Sequence, residues 1–348
     1  MYYFDDGKFF KSKISAIEYG RKNKLSFKLY YHDETYSNVD WSVEPSQNLD
    51  YYYLEQAKRI RDTYDRVILC YSGGYDSTNI LETFYYNNLT LDKIVTVGAF
   101  SQDSKPGVDE NHNGEIYHNV FPYLKSLNLE KITQIIDYTT LFDDPSNFSI
   151  FQYGENWVDE IGIRLSPHNW FWRDIEKYIV PETWKNKTVA ILFGKDKPTL
   201  FWSNGSVVSK VKYKNFKPGF AFSDTAIKNY GNIESFENTN RINFYWDYSY
   251  PFILIKQLHI LNRAYIAGYD IGNPDKLIYN LKTPLVFKSP KSIHNHLSLR
   301  DYFLLKKKNS SLYKFYLDGI RRLYNQTQIN GITEFREKFI FSKFYYIE

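Results

Sequence analysis

Arg66-Val67-Ile68-Leu69-Cys70-Tyr71-Ser72-Gly73-Gly74-Tyr75-Asp76-Ser77-Thr78-Asn79-Ile80-Leu81 changes character twice along its length. Val67 to Tyr71 is an apolar run of the kind that becomes a strand buried on both faces. Ser72 to Ser77 interrupts it with two glycines. Helical spacing follows at once, Ile80 and Leu81 being answered by Phe84 and Tyr85. The order is strand, tight glycine turn, helix. Adjacent glycines admit positive φ and let a ligand approach the main chain. Asp76 and Ser77 stand where a helix takes its N-cap, and the amides at that end point toward whatever fills the turn. Hydroxyls, amides and a helix dipole together suit an anion, most simply phosphate. Asp76 opposes a bare phosphate unless a divalent cation bridges the two. The plain alternative is an ordinary strand-to-helix turn.

Working outward, the segments alternate. Tyr53, Ala57, Ile60 and Tyr64 share one helical face before the loop. Asp92 to Phe100 is a second apolar strand, Lys131 to Asp137 a third and Thr188 to Phe193 a fourth. Ile116, Val120, Leu124 and Leu127 mark a helix interrupted near Pro122. Strand and helix in alternation predict an α/β fold with a doubly wound parallel sheet. Residues 1–50 read as a small β-rich appendage, since Phe9 to Ile17 and Leu25 to Tyr31 alternate apolar and polar. Residues 51–200 carry the sheet, and 201–348 read as a mostly helical region packed on it. Within the latter, Thr199 to Asn243 reads as irregular, and its alternating Lys210, Lys212, Lys214 and Lys217 suit an exposed edge strand. Pro251 opens an apolar helix through Leu254, Leu258, Leu261 and Tyr265. Further helices are expected at Ser166, around Asp301 to Lys308 and over Leu312 to Tyr324.

Ser72-Gly73-Gly74-x-Asp76-Ser77 resembles the signature loop of the PP-loop ATP pyrophosphatases, and among them the synthetase domain of asparagine synthetase. The resemblance covers residues 60–200 and implies an adenine nucleotide alpha-hydrolase-like fold using ATP and Mg²⁺. It implies an AMP- and pyrophosphate-forming ligase. A substrate carboxylate or similar oxygen attacks the α-phosphorus, and ammonia or an amine then attacks the acyl carbon. By the same resemblance, Ser72, Gly73, Gly74, Tyr75, Asp76 and Ser77 cradle the phosphates, and Val97, Gly98 and Ala99 line the adenine. Gly194 and Asp196 match a second, metal-and-pyrophosphate loop, so Asp76 and Asp196 would hold Mg²⁺. Lys195 and Lys197 are the nearest cations for the leaving charge. This second loop departs from the family, which carries a longer Ser-Gly-x-Gly-x-Asp-Glu there. The departure leaves a competing expectation, a nucleotide-binding or regulatory protein of the same fold without catalysis. Glutamine-using relatives begin with a nucleophilic cysteine in a separate domain, whereas this chain begins Met1-Tyr2. The nitrogen would therefore come from ammonia, an amine or a separate donor subunit, and the other partner is a small-molecule acyl substrate.

Composition narrows the field. Hydrophobic residues make up 43% of the 348, enough for a globular core. Lys and Arg number 44 against 40 Asp and Glu, a balance too even to imply nucleic acid. A lone cysteine rules out an internal disulfide, a four-cysteine zinc site and a paired-cysteine sulfur transfer, and it fits the cytoplasm. No Walker loop occurs, no apolar run reaches membrane-spanning length, and Met1 to Asp6 does not read as a signal peptide. His112 and His118, and His294 and His296, lack a third partner at a metal-binding spacing.

Overall fold

The computed structural model describes residues 1–98, 113, 115–137, 175–194, 198–224, 238–269, 311–331, 334–335 and 338–347. The chain opens with β1 (Tyr2–Phe4), β2 (Phe9–Phe10), α1 (Lys13–Asn23) and β3 (Phe27–Leu29). β1 is the centre of a three-stranded antiparallel sheet, between β2 and β3. Phe9 to Ile17 does not continue as the expected strand. Ser12 accepts a hydrogen bond from the Ser15 amide at 3.1 Å, caps α1, and puts Ile14, Ile17 and Gly20 on its buried face. A helix cap and spacing of three thus override a short alternation. After α2 (Asp33–Tyr36), α3 (Leu49–Thr63) starts where the Asn48 side chain accepts from the Tyr51 amide at 2.9 Å.

The central sheet comes next in the chain. Its strands are β4 (Arg66–Cys70), β5 (Lys93–Gly98), β6 (Thr133–Asp137), β7 (Val189–Phe193) and, later, β10 (Thr239–Asn243). All five are parallel, in the order β10-β7-β4-β5-β6. β4 and β7 are adjacent and their side chains are buried on both faces, which is why both read as unbroken apolar runs. The fifth strand corrects the irregular reading of Thr199 to Asn243. Thr239-Asn240-Arg241-Ile242-Asn243 is polar because it is an edge strand, paired with β7 alone.

Helix α4 (Tyr75–Tyr86) follows β4, and α5 (Phe121–Ser126) lies between β5 and β6. The expected break at Pro122 is instead a change of winding. Ile116–Val120 forms a π turn, the Phe121 amide bonds back to the Ile116 carbonyl, and Pro122 sits in the first turn of α5. Proline has no amide to give, so the first turn of a helix tolerates it. The short α6 (Glu176–Ile179) precedes β7 and its Glu176 pairs with Arg241 of β10 in a largely buried contact.

Residues 201–348, expected to be mostly helical, also supply strands. β8 (Leu200–Trp202), β9 (Pro218–Phe220) and β11 (Tyr345–Tyr346) form a second antiparallel sheet, beside α7 (Phe252–Ile266) and α8 (Ser311–Thr327). Lys210, Lys212, Lys214 and Lys217 lie in an exposed irregular connection between β8 and β9, not in an edge strand. The helices expected at Ser166 and Asp301 to Lys308 fall outside the described residues. One apolar core runs from Tyr2 and Phe4 through Leu69, Ile80 and Leu192 to Phe222 and Tyr345. Buried polar bonds tie the chain's two ends together. Lys13 Nζ lies 2.7 Å from Asp224 Oδ2, Tyr2 donates to the same carboxylate at 3.1 Å, and the Leu29 amide reaches the Phe341 carbonyl at 2.8 Å. No described helix is long and apolar enough to cross a membrane.

The strand order places the functional question. From β4 the chain adds β5 and β6 on one side, then returns to add β7 and β10 on the other. In open parallel sheets, ligands collect beyond the strand C-termini where the order reverses. Here that place lies between β4 and β7, which end in the Ser72–Ser77 loop and in Gly194.

Candidate functional site

The loop after β4 is wound tightly before any ligand is considered. Gly73 has φ +80, a conformation that L side chains rarely adopt. A β-carbon there would also lie 2.7 Å from Val120 Cγ2 and 3.3 Å from Asn119 Cβ. Gly74 has ordinary extended backbone, φ −78 and ψ 168, and is itself the N-cap of α4. The cap is therefore not Asp76 or Ser77, which fall in the first turn. Ser77 is occupied in another way. Its Oγ accepts from the Ser72 amide at 3.2 Å, lies 3.1 Å from Ser72 Oγ and donates to the Gly74 carbonyl at 3.2 Å. These bonds draw the loop shut so that the helix begins at Tyr75. The first intrahelical bond runs from the Thr78 amide to the Gly74 carbonyl at 3.0 Å, so the earlier amides point out of the helix end.

Tyr75 is exposed and Asp76 half-buried. A carboxylate in a helix's first turn is favoured by the helix dipole. The main chain of Asp76 is held from an unexpected direction. Tyr245, just past β10, donates its hydroxyl to the Asp76 carbonyl at 2.8 Å and accepts from Asn79 Nδ2 at 2.9 Å. Tyr245 is buried, so this contact forms one wall of the loop. Its role was not legible in the sequence, because the polar β10 that positions it was not legible either.

On the β5 side, Thr96 Oγ1 donates to the Tyr71 carbonyl at 3.0 Å and fastens the ends of the two strands together. Val97 is half-buried and Gly98 buried, both on the part of β5 that extends past β4, while Ala99 lies outside the described residues. The Tyr71 phenol is pushed up to about 12 by burial, with Glu82 and Glu115 adding to the shift, and it meets Thr78 Oγ1 at 3.2 Å. Cys70 is buried in β4 and burial pushes its thiol up, so it is a packed side chain and not a nucleophile.

On the β7 side, Gly194 touches the first loop directly. A β-carbon on Gly194 would sit 2.7 Å from the Ser77 nitrogen, 2.8 Å from the Asp76 carbonyl carbon and 3.0 Å from Ser77 Cα. The two strand ends thus meet main chain against main chain. Lys195, Asp196 and Lys197 lie outside the described residues. Among the described residues, no group of three His, Cys, Asp or Glu side chains is placed to hold a metal ion.

The arrangement has the features a polyphosphate requires. Main chain at Gly73 and Gly74 is bare, the N-terminal end of a twelve-residue helix faces the loop, and the whole sits at the reversal of strand order. A magnesium ion fits this place only in company with phosphate oxygens, since Asp76 is the one carboxylate within the loop itself. No family model, curated protein or solved structure matches the chain.

Proposed function

We propose that the chain binds ATP in the crevice between β4 and β7. We further propose that it acts as an ATP-dependent ligase that releases AMP and pyrophosphate, activating a substrate carboxylate for attack by ammonia or an amine. The observation that carries the reading is the joined pair of strand ends, the Ser72–Ser77 loop with Gly194 packed against Asp76 and Ser77. Main chain at Gly73 and Gly74 would take the phosphates, with the α4 dipole behind them. Val97 and Gly98, together with Ala99, would border the adenine, at the exposed end of β5. Asp76, with Asp196 from the second loop, would hold Mg²⁺, which supplies charge neutralisation on the phosphate oxygens. Lys195 and Lys197 would offset the charge of the departing pyrophosphate. Such chemistry asks the protein mainly for positioning and charge stabilisation, which suits a site built from backbone and tight packing.

The test is pyrophosphate release from ATP and Mg²⁺ in the presence of pooled carboxylic acids and ammonia, with mass spectrometry for AMP-linked products. The expected result is release that depends on one acid in the pool and disappears in Asp76→Asn. Tight ATP binding without release under any acid would leave a nucleotide-binding protein and remove the ligase activity.

A further inference from the structure

Glu115 borders the phosphate loop from the segment that follows β5, and nothing in the motif accounts for it. The helical stretch beginning there lies along the glycine pair. Its main-chain oxygen is 3.4 Å from the β-carbon position of Gly73, and its Oε1 is 3.2 Å from that of Gly74. One turn on, Asn119 donates to the Gly73 carbonyl at 3.4 Å. Asn119 is only 8% exposed, and its Oδ1 has no hydrogen-bond partner. The Tyr71 phenol registers the same carboxylate through its raised proton affinity. Glu115 therefore faces main chain at the N-terminal end of α4, where a phosphate would approach, and Asp76 lies in the first turn of that helix.

Two carboxylates beside one anion site create a selection rule. A polyphosphate arriving without a metal meets like charge at short range in a partly buried place, where screening is weak. A polyphosphate already carrying a divalent cation meets the same carboxylates as favourable neighbours, because a bound cation inverts the local electrostatics. Glycine at position 74 is required for this arrangement, since a β-carbon there would press against Glu115 Oε1 and hold the carboxylate away from the loop.

We infer that Glu115 makes this site selective for metal-chelated polyphosphate over the bare anion. The inference rests on the reading of the Ser72–Ser77 loop as a phosphate site. Glu115 acts on the charge of the ligand, so its removal changes the metal dependence of binding and not binding in general.

The experiment measures ATP binding by calorimetry, with Mg²⁺ and with chelator, to the wild type, Glu115→Gln and Glu115→Ala. The expected result is a wild-type preference for ATP with Mg²⁺ that narrows by about tenfold or more in both variants, chiefly through tighter binding of metal-free ATP. Glu115→Gln keeps size and hydrogen bonding, and Glu115→Ala supplies the answer if the amide disturbs the fold. A wild type that binds ATP with Mg²⁺, and variants that keep the same preference, overturn the inference and leave the phosphate reading standing. A wild type that binds neither form overturns both.

Discussion

The loop after β4 and the turn after β7 meet in one crevice, each by a glycine, and the two glycines are required for different reasons. Gly73 is in the left-handed region and is crowded by a side chain, Val120. Gly194 has no such backbone conformation and is crowded by main chain, at Asp76 and Ser77. The first glycine shapes its own loop; the second lets two strand ends touch. Sequence alone presents both as a glycine after an apolar run, and only their surroundings separate them.

That contrast yields graded expectations. Gly73→Ala should cost most, about 2–4 kcal/mol, because left-handed strain adds to the clash with Val120. Denaturant unfolding of Gly73→Ala, Val120→Ala and the double variant measures the two parts. Trimming Val120 should relieve the clash but not the strain, so the costs should be less than additive. Gly194→Ala should cost about 1–3 kcal/mol by overpacking alone. No single side-chain truncation should rescue it, since the atoms in the way are backbone. If a neighbouring truncation restores Gly194→Ala, the main-chain contact is not what matters there.

Tyr245→Phe tests the wall opposite. Removing the hydroxyl takes a donor from the Asp76 carbonyl and an acceptor from Asn79, and should cost about 1–2 kcal/mol. A melting temperature equal to wild type would show that water serves those groups equally well. Gly74→Ala should have the smallest effect on the fold, about 1 kcal/mol or less, because its φ of −78 suits any residue and the loss is that of a glycine cap. Its effect on nucleotide binding should be far larger than its effect on stability, in contrast to Gly73. The reason differs from the one the motif suggests, since the positive φ belongs to Gly73 and not to Gly74.

What was legible follows the same physics. β4 and β7 are buried on both faces, so their burial is written as apolar runs, and the glycine pair between strand and helix marks the loop. β10 was not legible because an edge strand of Thr, Asn, Arg, Ile and Asn carries no apolar period. With it went Tyr245, whose bond to Asp76 depends on where that strand docks. The helix start was displaced because Asp76 and Ser77 are good capping residues by type. In place, the Ser72–Ser77 bonds tighten the loop and move the cap back to Gly74. Glu115 stands beside the polar stretch Ser101 to Gly114, where no periodicity points to the glycine pair. Its approach to Gly74 exists only in three dimensions.

The central claim is that bare main chain at the β4 loop receives the phosphates of ATP. The most direct test compares thermal unfolding of the wild type and Gly74→Val, each with and without millimolar ATP and Mg²⁺. A ligand at about one hundred times its dissociation constant stabilises the native state by about 2.7 kcal/mol. The wild type should melt at a clearly higher temperature with the nucleotide. Gly74→Val should fold and show no such shift, since its side chain fills the space the phosphates need. A wild type indifferent to ATP and Mg²⁺, or a Gly74→Val shift equal to that of the wild type, would contradict the account.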